Sequence, residues 1–278
     1  MFETLMTLCQ SFPYALLAGL LIGVVCALLG VFVILKRVVF IGIALSEMAA
    51  CGVAMALLLN MPPFVGAVVL TLLAVCLLAF PFESRRIPRD AILGVLFVAA
   101  SSLSVLLVSG SGHGLQEVKA LLYGDLILTS RADFFVVCAV MIPAALYLLL
   151  FVRPTLYAFL DREAATVLRV RPARWELLFF LVLGLVVAAA SKVAGAVLVF
   201  CYLIAPAAAA LLLARRLWLV LSLAGLIAVL ATLSGIGLSF AADLPTNQAI
   251  CAVACLLFGL CSVAPVLRRL LARKRERH

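Results

Sequence analysis

The chain has 278 residues, of which 68% are hydrophobic and 12% charged, and it carries a formal net charge of +9. A charged share about half the ~25% of ordinary soluble domains, with a mean hydropathy of +1.34, excludes a water-soluble globular domain. When the apolar segments are threaded alternately through a membrane, 18 of the 21 Lys and Arg fall on one side, so the charge reports topology and gives no footprint for nucleic acid.

A helix crosses the hydrocarbon core in roughly 20 apolar residues. Segments of that kind lie at about 13–35, 38–59, 62–82, 91–109, 131–152, 176–191, 194–214, 217–240 and 246–267. Little more than Ser191, Lys192 and Val193 separates the sixth from the seventh, so the count is eight or nine. The first ten residues hold no basic stretch, and no small-residue cleavage site follows, so the first span is expected to stay in the protein. The expectation is an all-α polytopic membrane protein with one transmembrane domain over 1–278.

Orientation follows from the basic loops. With the N-terminus outside, Lys36–Arg37, Arg85–Arg86–Arg89, an island at 153–174, Arg215–Arg216 and the tail at 268–278 face the cytoplasm. Lys119, Arg131 and Lys192 stay outside. The tail could also touch anionic lipid heads. The 153–174 island interleaves five arginines with Asp161, Glu163 and an apolar ridge of Leu156, Phe159, Leu160, Val167 and Leu168. It is too polar to cross a bilayer and too amphipathic for a linker. The 110–130 stretch opens on Gly110 to Gly114 and reads as a short amphipathic helix ended by Gly124 and Asp125. It is too short and too charged to span, and is placed at the outer interface or as a re-entrant turn.

Small residues at Gly19, Gly23, Gly30 and Ala207–Ala210 mark close helix packing. The nine cysteines lie scattered in apolar spans without a CxxC pair and read as small hydrophobes. No paired-His spacing assembles a zinc site locally, and no phosphate-binding loop GxxxxGK[ST] is present. If transport consumes ATP, another chain hydrolyses it.

Ionisable residues within spans are costly and are functional candidates by default. Glu47 is the clearest, mid-span with no Lys or Arg within a helical turn. It either lines a polar pathway or is a neutral, hydrogen-bonded core residue. Pro206 frees a carbonyl about one turn earlier and marks either a pathway wall or a packed kink. Asp243 sits ahead of the last span, where a helix N-cap is the structural alternative.

Six segments, in order, resemble the permease subunits of metal-type (zinc, manganese, iron) ATP-binding-cassette importers. Gly30–Arg37 is similar to the family's G-x-F-(V/L)-(V/I)-L-(R/K)-R, Gly42–Gly52 to G-D-A-L-S-H-A-x-L-P-G, and Leu122–Leu128 to L-(F/Y)-G-(D/S/N)-(I/L)-L. Leu160–Ala165 is similar to F-D-P-E-x-A, Ala194–Ala208 to V-G-x-L-L-V…L-(I/L)-x-P-A-A, and Ser239–Ala249 to S-x-x-x-D-x-P-(T/S)-G-x-x. Together they cover about residues 15 to 265.

The resemblance implies a permease in a bacterial inner membrane, paired with a second copy or a paralogue. The pair would sit on a cytoplasmic ATP-binding subunit dimer and receive cargo from an extracytoplasmic solute-binding protein, with metal as cargo and no stably bound cofactor. The 153–174 island becomes the coupling helix: Asp161, Arg162 and Glu163 would pair with the ATPase, and Phe159 and Leu160 would supply its apolar anchor. Glu47 becomes a metal contact, with Ser46, Pro206, Asp243, Asn247 and Gln248 as further pathway candidates. The family's gating Asp and His are Ile43 and Glu47 here, its Pro before Gly52 is Cys51, and its Gly after the Thr is Asn247. Replacing imidazole by carboxylate suits a harder ion such as manganese or ferrous iron. The divergence also leaves open a metal chelate or organic cargo, and a secondary transporter working without ATP.

Overall fold

The computed structural model describes residues 13–79, 89–109, 124, 126–160 and 171–275, and among these the chain is helical without strands. Ten α-helices follow in order: α1 Pro13–Leu35, α2 Ile41–Leu58, α3 Pro63–Ala79, α4 Arg89–Ser109, α5 Arg131–Leu150, α6 Val152–Leu160, α7 Pro172–Ala194, α8 Ala196–Leu213, α9 Leu217–Ala242 and α10 Thr246–Arg275. A 3₁₀ turn, Leu126–Leu128, precedes α5. Eight of these helices are long and apolar enough to cross a membrane, and α3 is shorter. The nine apolar segments legible in the sequence are therefore all helices. Of the amphipathic helix expected in 110–123, no residue lies among those described.

Local chemistry sets the ends. Ser130 caps α5, its hydroxyl accepting the Asp133 N–H at 3.1 Å. Pro172 opens α7, where its missing N–H costs nothing. A single residue, Gly195, joins α7 to α8 at φ 77°, a backbone state open to glycine without strain.

Helix α2 lies at the centre, against α3, α4, α7 and α8, and 78% of its apolar window is buried, compared with 22% for both α4 and α5. Helix α1 crosses α8 and α9. The α1–α8 crossing is close because Gly30 has no side chain: a Cβ there would overlap the Leu203 carbonyl oxygen. Gly52 and Gly66 bring α2 onto α3 in the same way. Pro206 sits next to the Gly30 crossing and is buried. Tyr202, whose carbonyl faces the missing proline N–H, is itself buried, and its hydroxyl lies 2.6 Å from that of Thr232. Pro206 thus lies in the packed interior of a continuous α8.

Gly30→Ala is expected to destabilise the fold by about 1–3 kcal/mol, the scale of forcing an extra carbon into a close-packed interior. Thermal unfolding of detergent-purified protein reads this as a lowered midpoint, whereas Gly225→Ala, where an added Cβ meets only Val24 at 3.8 Å, leaves it unchanged.

Candidate functional site

Glu47 stands in the second turn of α2 and is 4% exposed. One side of its carboxyl is taken by the side chain of Ser101 on α4. Its Oε2 atom is buried without a hydrogen-bond partner, and so is the Ser46 hydroxyl. Ser101 in turn accepts the Ser104 hydroxyl on its carbonyl at 2.8 Å. One turn past Glu47, Cys51 is 1% exposed.

Two contacts set the register of α2 against α4: Glu47 meets Ser101, and seven residues on, Ala54 meets Val108. The helices therefore run parallel, as they must if α3 returns between them. Since α4 begins at Arg89, Ser101 is past its middle. Glu47 is thus at mid-depth even though it is early in its own helix. An unpaired carboxylate oxygen at that depth, with a hydroxyl and a thiol close by, can accept a hard or borderline cation in transit. Among the described residues no three His, Cys, Asp or Glu side chains form a group able to hold a metal ion.

The other sequence candidates lie elsewhere. Asn247 is buried at the start of α10, where its amide donates to the Ala194 carbonyl at 2.9 Å and its Oδ1 accepts the Leu126 N–H at 3.4 Å. It ties three segments together at one end of the bundle. Asp243 is no N-cap: it ends α9 in the left-handed region at φ 49°, exposed, with its N–H on the Ser239 carbonyl. The α10 entry is held by the Ser239 and Thr246 hydroxyls, 2.8 Å apart. Gln248 is exposed, and Pro206 belongs to the α1–α8 crossing.

At the Lys36 end, the half-buried Phe159 ring of α6 packs against its neighbours. It lies edge-on to Phe179 at 4.9 Å, touches Phe32 and Phe180, and sits 5.2 Å below the Lys36 ammonium. Lys36 also pairs with Glu176 of α7 at 3.0 Å, both largely shielded. Leu160 closes α6, and Asp161, Arg162 and Glu163 lie outside the described residues. At the opposite end of α7, Lys192 pairs with Asp133 of α5 at 2.6 Å. Sequence reasoning missed Ser101 as well as both ion-pair partners, Glu176 and Asp133. Acidic residues near span ends opposite Lys36 and Lys192 were the available signal.

Comparison with known proteins agrees with this architecture. The profile of the ABC 3 transport family matches residues 9–264. The manganese transport system membrane protein MntC of Halalkalibacterium halodurans is 32% identical over 246 residues, covering 88% of this chain and 84% of that protein. The chelated iron transport system membrane protein YfeC of Yersinia pestis is 29% identical, covering 90% and 87%. Among solved structures, PsaBC from Streptococcus pneumoniae in complex with Fab shares the fold with a TM-score of 0.83 at 23% identity, over 94% of this chain and 95% of that one.

Asn247→Ala is expected to cost about 2 kcal/mol of stability, the scale of leaving buried backbone groups unpaired. The expected signature is a lower unfolding midpoint with an unchanged KM for cargo among the molecules that remain folded.

Proposed function

The chain belongs to the ABC 3 transport family, and from that premise we propose that it is the permease of an ATP-driven importer whose cargo is a divalent transition metal, manganese or ferrous iron. The observation that carries the cargo reading is the buried, unpartnered Oε2 of Glu47 at mid-depth between α2 and α4. A carboxylate oxygen suits these ions better than softer ones, and relatives named for manganese and iron transport support the same class. ATP is hydrolysed by a separate cytoplasmic subunit pair, and the permease supplies no catalytic group of its own. An extracytoplasmic binding protein delivers the cargo, and a second permease, the same chain or a paralogue, completes the pathway. The membrane is the bacterial inner membrane, with the N-terminus outside and the C-terminus in the cytoplasm.

The structure suggests how the partner's work reaches the pathway. Helix α6 forms the first part of the 153–174 segment read as the coupling helix. Phe159 seats α6 on Phe179 of α7 and Phe32 of α1, beneath the Lys36–Glu176 pair. A push on that segment therefore moves α1 and α7 together, and α7 packs on α2 and α3. Breaking this shielded pair by removing one partner is costly. Leu160, Asp161, Arg162 and Glu163 complete the ATPase contact in this reading.

In a strain lacking this chain, cellular manganese or iron measured by mass spectrometry should fall. A strain carrying Glu47→Ala should fall with it, with uptake reduced about tenfold or more, the scale of losing a metal-site group. Normal metal content in the Glu47→Ala strain would remove Glu47 from the pathway. Normal content in the deletion strain would favour a chelate or organic cargo.

A further inference from the structure

Cys51 has no counterpart among the residues used so far, yet its position is unlike that of the other cysteines. It lies four residues after Glu47, on the same side of α2, where side chains at this spacing are neighbours. Ala54, seven residues after Glu47, touches Val108 of α4, so this side of α2 faces the α4 seam. Cys51 is 1% exposed and stands a single turn from the carboxyl. Cys26, also fully enclosed, has no acidic side chain beside it in its helix. The second observation at the site is the Glu47 carboxyl itself. It is more than nine-tenths buried, with one oxygen engaged by Ser101 and the other left without a partner. Something outside the described side chains is expected to meet that oxygen, and the atom one turn away is sulfur.

We propose that Cys51 is a specificity-determining residue that offers the cargo a sulfur contact beside the Glu47 carboxylate. This rests on Glu47 meeting the cargo. The pair is a mixed oxygen and sulfur site of two donors, which binds an ion weakly and lets it leave. It suits a divalent cation that keeps most of its waters while it passes. Sulfur disfavours magnesium and calcium, which take oxygen ligands, and favours ferrous iron, zinc and cadmium, while manganese is carried by the carboxylate. Where the thiol ligates, its proton is released to water as the metal–sulfur bond forms. The serine hydroxyls of Ser46 and Ser101 add oxygen to the seam but no further softness.

The test is competition by cadmium against uptake of radiolabelled manganese in cells expressing native chain, Cys51→Ser, Cys51→Ala or, as a control for thiol chemistry elsewhere, Cys255→Ser. The quantity read is the ratio of the cadmium inhibition constant to the manganese KM. The ratio should rise about tenfold or more in both Cys51 variants, the scale of removing one soft ligand group, and stay unchanged in Cys255→Ser. An unchanged ratio in the Cys51 variants overturns the proposal, as does disappearance of both variants from the membrane, which would return Cys51 to helix packing. Failure of the underlying reading looks different: Glu47→Ala then takes up manganese normally, whatever the Cys51 variants do.

Discussion

Hydrocarbon offers no hydrogen bonds, so a polar group inside this bundle is costly unless the chain itself, or what passes through it, meets it. That constraint organises the molecule. The Ser104 and Thr71 hydroxyls return to their own helix carbonyls, and the Tyr202 hydroxyl finds Thr232. Asn247 uses both ends of its amide to join α10, α7 and the turn before α5. Among the described residues the buried hydroxyls of Ser46, Tyr147, Thr155 and Ser191 also lack a partner, and the Glu47 Oε2 is the exception among them that belongs to an acid.

Helix α7 is the frame around that exception. An ion pair fixes each end, Glu176 to Lys36 and Lys192 to Asp133, and between them α7 lies along α2, α3 and α5. Charges at both ends hold α7 at one depth, since sliding by a turn would break both pairs. Close helix approach through Gly30 and Gly52 then sets how α1 and α3 lie on the central helices. A frame pinned at two ends can rock about the middle, which is where Glu47 stands. The aromatic seat of Phe159 links that frame to α6.

The positions of the apolar helices were legible because apolar length is a property of contiguous sequence. Glu47 was legible because a lone acid in such a run has no ordinary explanation. Ser101 was hidden, since serines are common in membrane helices and its pairing depends on the register of two helices separated by a third. Phe159 reads from sequence as a ridge residue, and only the placement of α6 against α7 shows which rings it packs against. Asp243 has the composition of an N-cap, but the turn it serves is the end of α9, closed by the Ser239 side chain and a left-handed backbone. Asn247 stands where the family pattern has glycine, and no local pattern shows that its partners lie 53 and 121 residues away.

The central claim is that the mid-membrane carboxyl of Glu47 meets the cargo. Electron paramagnetic resonance of manganese added to the permease in lipid nanodiscs tests it most directly. The account predicts that native protein broadens and depletes the free-ion spectrum, and that Glu47→Gln, which keeps the side chain's shape, leaves that spectrum as it is in buffer. Equal binding by native and Glu47→Gln protein would contradict the claim and place the cargo contact elsewhere in the bundle.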